Sequence, residues 1–202
     1  MTGQAFAELL AEPGVVEVGA LRSTFGFLAF HGGGLEEVTD VVASRAAEAS
    51  GASYYGVLHP PGWKRHLPSI QVDPAGSPAL AAFLAHVDVA IAVHGYGRNG
   101  WWTRLLAGGT NRALAEHVAA CLAPVLPDYE VVTDLDVIPK ELRGVHARNP
   151  VNRPRLGGVQ LELPPRVRGR APSSPPPGPD GLSPPTAALI AGLADAARTW
   201  SP

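Results

Sequence analysis

Apolar residues along this chain gather in short runs set between longer stretches of mixed character. Residues 25–30 form a run with no polar position that ends at His31, the pattern of a strand buried on both faces. Residues 36–50 place apolar side chains at helical spacing behind acids in the first turn and predict a helix. Residues 53–58 predict a strand, and 77–87 a helix capped by Ser77. A second apolar run ends at His94-Gly95, with 89–93 as its strand. Residues 110–122 predict a helix capped by Thr110 or Asn111, 129–133 a strand, and 159–163 a short strand behind Gly157-Gly158. Strands alternating with helices imply an α/β fold, with a mainly parallel (mixed) sheet carrying helices on both faces.

The pattern breaks in residues 169–185, where prolines crowd the chain. Such a segment predicts an exposed, polyproline-biased loop. Residues 186–200 then regain helical spacing, with Leu189, Ile190, Leu193 and Ala197 on one face. The loop therefore joins a last helix to a single catalytic domain over 1–202. That length suffices for a sizeable core, and 46% hydrophobic against 17% charged residues is the balance of a globular chain.

A net charge of −2 excludes a generally basic nucleic-acid binder. The single cysteine, Cys121, excludes an internal disulfide and thiolate-rich metal sites, and its apolar helical setting predicts a buried, inert thiol. The N-terminus lacks a basic n-region and no run is long enough to span a bilayer. A cytoplasmic monomer with no membrane or nucleic-acid partner is the expectation. Between 140 and 170, eight Lys and Arg face two Glu; this is either a solvated basic loop or a positive wall that attracts an anionic substrate.

Both apolar runs deliver a histidine into a glycine-rich turn, His31-Gly32-Gly33-Gly34-Leu35-Glu36 and His94-Gly95. Open α/β sheets build their sites at the carboxyl ends of strands. Taken singly, His31 is equally a buried core histidine and Glu36 a helix-start acid. Together with His94 they make two imidazoles and a carboxylate, the ligand set of hydrolytic zinc sites with a fourth position open. Glu162 alternates with apolar neighbours in Val159-Gln160-Leu161-Glu162-Leu163. It is either the polar face of an edge strand or a general base beside the ion. There is no His-Glu-x-x-His, no Gly-x-Ser-x-Gly and no Walker motif; Gly95-Tyr96-Gly97-Arg98-Asn99-Gly100 fits a dinucleotide fingerprint, but no clear helix follows.

The strings His31-Gly32-Gly33-Gly34-Leu35-Glu36, Val93-His94-Gly95, Gly108-Gly109, Asn149-Pro150-Val151-Asn152-Arg153 and Gly158-Val159-Gln160-Leu161-Glu162-Leu163, in this order, resemble the phage-type poly-γ-glutamate hydrolase family. The resemblance implies a zinc carboxypeptidase-like fold and a zinc-dependent amide hydrolase. It implies His31, Glu36 and His94 as Zn2+ ligands, Glu162 as general base, and a γ-glutamyl polymer or small anionic amide as substrate. Arg153 and Arg166 are candidates for binding substrate carboxylates, because guanidinium forks match them bidentately; Asn152, Arg98 and His66 are further candidates. Two rivals stand beside this expectation: a metal amidohydrolase for another acyl amino acid or peptide amide, and a non-catalytic binder of anionic polymer.

Overall fold

The computed structural model describes residues 3–202. In chain order, α1 (Gln4–Leu10) and β1 (Val16–Ala20) lead into β2 (Phe25–Gly33), α2 (Thr39–Ser50) and β3 (Ser53–His59). Then come α3 (Pro78–His86), β4 (Val89–Gly95), β5 (Arg104–Ala107), α4 (Arg112–Leu122), β6 (Glu130–Val132), β7 (Gly158–Leu163) and α5 (Pro184–Thr199). The strands form one seven-stranded sheet in the order β1-β3-β2-β4-β7-β5-β6. Its centre, β3-β2-β4-β7, is parallel; β1 and β5 add antiparallel to β3 and β7, and β6 runs parallel to β5. The sheet is therefore mixed, with β7 an interior strand rather than an edge. Among the described residues, no helix is long and apolar enough to cross a membrane.

Each strand divides its residues between two layers, as the period-two alternation of a pleated strand requires. On one face, Phe25, Phe27 and Ala29 of β2, Val89, Ile91 and Val93 of β4, and Val159, Leu161 and Leu163 of β7 pack beneath α2, α4 and α5. On the other, Leu28 and Phe30 of β2 and Ala90 and Ala92 of β4 meet α1, α3 and the loop residues Leu67 and Val72. A separate cluster of Tyr96, Leu106, Val132 and Ile138 lies elsewhere in the fold.

Two helix starts match their caps: Ser77 accepts from the Leu80 N–H and Asn111 from the Leu114 N–H. The helix expected from residue 36 begins at Thr39 instead, so Glu36 lies in the turn ahead of it and not in its first turn. Val38 causes the delay. It takes a left-handed conformation, φ 79°, rare and strained for a β-branched residue, and turns the chain before the helix can start. Cys121 is only half-buried, beside His117; burial still holds its thiol above the usual range.

Candidate active site

The parallel strands β2, β3, β4 and β7 all end on the same side of the sheet, and the polar residues gather there. A one-residue irregularity sets the position of His31. Pairing advances from Ala29 to Gly32 along β2 while β3 advances only from Gly56 to Leu58, so β2 carries a bulge. Without it, His31 would continue the odd-numbered series of Phe25, Phe27 and Ala29 toward α2. With it, the imidazole turns to the other face, where His94 follows Ala90 and Ala92.

The glycines after His31 let the chain double back. Gly33 has φ 66°, and a Cβ there would lie 2.4 Å from the carbonyl oxygen of His59, so β3 leaves no room for a side chain. The turn closes with Glu36 N–H donating to His31 O at 2.8 Å. This brings the Glu36 carboxylate back over the strand ends. Its Oε1 lies 2.9 Å from His31 Nδ1, and its Oε2 lies 3.5 Å from His94 Nδ1 and accepts from the Gly95 N–H at 2.8 Å. The two Nδ1 atoms are 3.2 Å apart.

These three donor atoms fit a divalent cation in two respects. A tetrahedral ion with bonds of roughly 2.0–2.1 Å keeps its ligand atoms roughly 3.3 Å apart, close to the spacing seen. The tautomer also agrees. His31 Nε2 lies 2.9 Å from the carbonyl oxygen of Leu67, which fixes the proton on Nε2 and leaves the Nδ1 lone pair aimed at Glu36, an arrangement typical of a metal-ligating histidine. Burial pushes the His31 pKa down despite the opposing pull of Glu36. With its proton on Nε2, the imidazole can share a cation with Glu36 through Nδ1.

Burial raises the Glu36 pKa, but the imidazoles of His31, His66 and His94 more than offset it and hold the carboxyl well below its usual range. His94 keeps a raised pKa against complete burial because Glu36 and Glu162 favour its protonated form; its Nε2 is buried without a partner. His66 adds a third imidazole: its Nε2 is 3.8 Å from Glu36 Oε1 and its ring centroid 4.3 Å from that of His31. His31, Glu36 and His66 each bring one donor atom within 4.8 Å of the others, although His66 is half exposed. His59, at the end of β3, is buried with neither ring nitrogen partnered, and burial pushes it down to about 4, so it stays neutral beside the cluster.

Glu162 sits on β7 in register with His94, 3% exposed. Burial and the Glu36 charge push its carboxyl up to about 7, against the pull of His94 and of the Gln160 amide. Its orientation is fixed by a relay: Asn149 Nδ2 donates to Gln160 Oε1 at 2.7 Å, and Gln160 Nε2 donates to Glu162 Oε1 at 2.8 Å. Arg168 braces the back of the site, donating to the carbonyls of Leu163 and Glu37.

All four residues line one cavity of about 640 Å³, together with His66, Pro68, Ile70, Gln160 and the 140–149 segment. None of Arg98, Asn152, Arg153 and Arg166 lines it. Arg98 lies over the Trp101 ring at 5.1 Å. Arg153 Nη1 is 3.9 Å from Asp73 Oδ1. Arg166 has its Nε buried without a partner. Asn152 is a brace, its amide donating to the carbonyls of Gly144 and His146 at 2.7 and 3.0 Å. The cavity's own polar wall includes Lys140, which belongs to the basic 140–170 stretch, Asn149, which opens the string Asn149-Pro150-Val151-Asn152-Arg153, and His146, which no sequence pattern marks.

Comparison with known proteins gives the family and the fold. The family model for poly-γ-glutamate hydrolases matches residues 4–171. An SPbeta prophage-derived protein, YoqZ of Bacillus subtilis (strain 168), is 29% identical over 138 residues, covering 67% of this chain and 47% of its own length. The chain thus spans about half of that relative. Among solved structures, a bacteriophage poly-γ-glutamate hydrolase superposes with a TM-score of 0.74 at 19% identity, over 91% of this chain and 87% of the other. A protein named YNDL, in a zinc-free apo form, gives 0.67 at 22% identity, over 81% and 79%. A metallo-carboxypeptidase from Burkholderia cenocepacia gives 0.50 at 13% identity, over 95% and 66%. At these identities the structural likenesses carry the fold, which is that of the metallo-carboxypeptidases.

Proposed function

The chain belongs to the poly-γ-glutamate hydrolase family, and from that premise we propose that it is a zinc-dependent hydrolase of γ-glutamyl amide bonds. The observation that carries this reading is the convergence of His31 Nδ1, His94 Nδ1 and Glu36, with the proton of His31 held on the far nitrogen by Leu67 O. His31, Glu36 and His94 would hold the ion. A bound zinc ion supplies Lewis acidity, polarising the scissile carbonyl and acidifying water. Glu162 accepts a proton at its carboxylate as water adds to the carbonyl carbon, and delivers it to the departing nitrogen as the C–N bond breaks. The relay from Asn149 through Gln160 keeps one carboxylate oxygen engaged and so aims the other. The buried setting that raises Glu162 brings its pKa near neutrality, where a general base works best.

Metal analysis of the purified protein and of Glu162→Gln, with hydrolysis of a γ-linked glutamyl oligomer, tests the proposal. Wild type and Glu162→Gln should both carry zinc, and the variant should hydrolyse roughly 10²–10⁴-fold more slowly. A protein that takes up no zinc, or a variant as fast as wild type, overturns it.

A further inference from the structure

The cavity's two sides differ in charge. The strand-end side carries Glu36 and Glu162, and the 140–149 side carries Lys140 and His146. We propose that Lys140 and His146 form the subsite for the α-carboxylate of the γ-linked glutamyl unit at the scissile bond. The inference rests on the hydrolase reading above and deepens it.

Lys140 supplies a formal positive charge to the lining, and among the described residues its ammonium makes no salt bridge. Arg153, by contrast, lies near Asp73. His146 Nδ1 accepts the Arg148 N–H at 3.0 Å, which places the ring proton on Nε2 and leaves Nε2–H as a donor. The segment is held rather than loose. Asn149 and Asn152 both donate to Gly144 O, Asn152 also holds His146 O, and Gly109 N–H binds Arg143 O at 2.7 Å. His146 therefore stands on backbone that needs no ordering before an anion binds. Glu141 lines the same wall and repels an anion, so the formal positive charge is confined to Lys140, to which His146 adds an N–H donor.

The remaining lining suits the same ligand. Pro68, Ile70, Leu142 and Val145 add apolar lining to the cavity. A γ-linkage puts two methylene groups into the polymer's main chain and leaves a carboxylate on the adjacent carbon. A cavity that combines apolar lining with a lysine matches that pairing, whereas an α-peptide backbone would present an amide where the methylenes lie.

The test compares two substrates on the zinc-loaded enzyme: a γ-linked glutamyl oligomer and the same oligomer with its α-carboxylates converted to carboxamides. Wild type should prefer the carboxylate form, chiefly through KM. Lys140→Gln/His146→Gln should cut that preference by roughly 10- to 100-fold, the worth of a charge-assisted hydrogen bond, and Lys140→Arg should keep most of it. Calorimetric binding of both oligomers to Glu162→Gln, with and without the two substitutions, reads the subsite without turnover. A preference that survives Lys140→Gln/His146→Gln overturns the subsite while leaving the hydrolase reading intact. Loss of binding discrimination in a protein that hydrolyses neither oligomer supports the subsite while the hydrolase reading falls.

Discussion

The two faces of the sheet are built from the same strands but packed differently. Beneath α2, α4 and α5, apolar side chains of β2, β4, β5 and β7 join in one unbroken cluster. On the opposite face there are two clusters, one around Phe30, Tyr55 and Phe83 and one around Tyr96, Leu106 and Ile138. His94, Gln160 and Glu162, on neighbouring strands β4 and β7, are buried but belong to neither. A single strand serves both purposes: β4 gives Val89, Ile91 and Val93 to the continuous side, then Ala90, Ala92 and His94 to the interrupted one. Chemistry is housed where apolar packing is broken, and the unbroken face supplies the stability that such a break costs.

The contrast can be broken most strongly from the continuous side. Phe27→Ala should destabilise the protein by about 3–5 kcal/mol through lost burial and a residual cavity, measured by denaturant unfolding. The interrupted side should respond with the opposite sign. In the metal-free protein the folded chain holds the Glu162 proton up to about 7, whereas the unfolded chain releases it near 4.5. Below pH 4.5 both states are protonated and Glu162 has no effect. As pH rises toward 7 the unfolded state ionises first, and wild-type stability falls. Metal-free Glu162→Gln should therefore match wild type in acid and exceed it above pH 7 by on the order of 3 kcal/mol, seen as a rise in Tm. Filling the gap with zinc at a hundred times its Kd should stabilise wild type by about 2.7 kcal/mol, and His31→Ala should lose that gain. Asn149→Ala should cost about 1–3 kcal/mol by leaving Gln160 Oε1 without its donor, and should also slow hydrolysis by loosening the amide that orients Glu162.

Most of the sheet was legible in the sequence because buried strands write long apolar runs. Strands β2, β3, β4 and β7 lie close to where their patterns put them, and Ser77 and Asn111 cap the helices they precede. The elements that carried no forecast are short or marginal. Helix α1 has seven residues, β5 has four, and edge strand β1 exposes Val16 by 50%, so none imposes a clear period. The ligand candidates could be named from strand ends and glycine turns, and those residues meet in space. Their arrangement was hidden for two reasons. The bulge at Ala29 is invisible to hydrophobicity, and the left-handed Val38 detaches Glu36 from the helix that its charge seemed to begin. The arginines expected to bind substrate carboxylates rest on the match of a guanidinium fork to a carboxylate, which says nothing of where each side chain sits; Arg153 lies by an acid, Arg98 over an indole, and neither they nor Arg166 line the cavity. The segment that does face the cavity, 140–149, was marked only by its share of the basic 140–170 stretch and by Asn149 at its end; the asparagine side chains that grip its carbonyls have no signature in spacing.

The extra residue between Ala29 and Gly32 bears on how this lineage tolerates changes in length. It lets Phe30 and His31 both face away from α2, so a single-codon deletion there must sacrifice either a buried aromatic ring or the imidazole itself. Without Phe30 the remaining histidine would keep its face but stand over a hollow in the packing. Without His31 the ladder with β3 would run on regularly, and the product would be a sound scaffold one donor short.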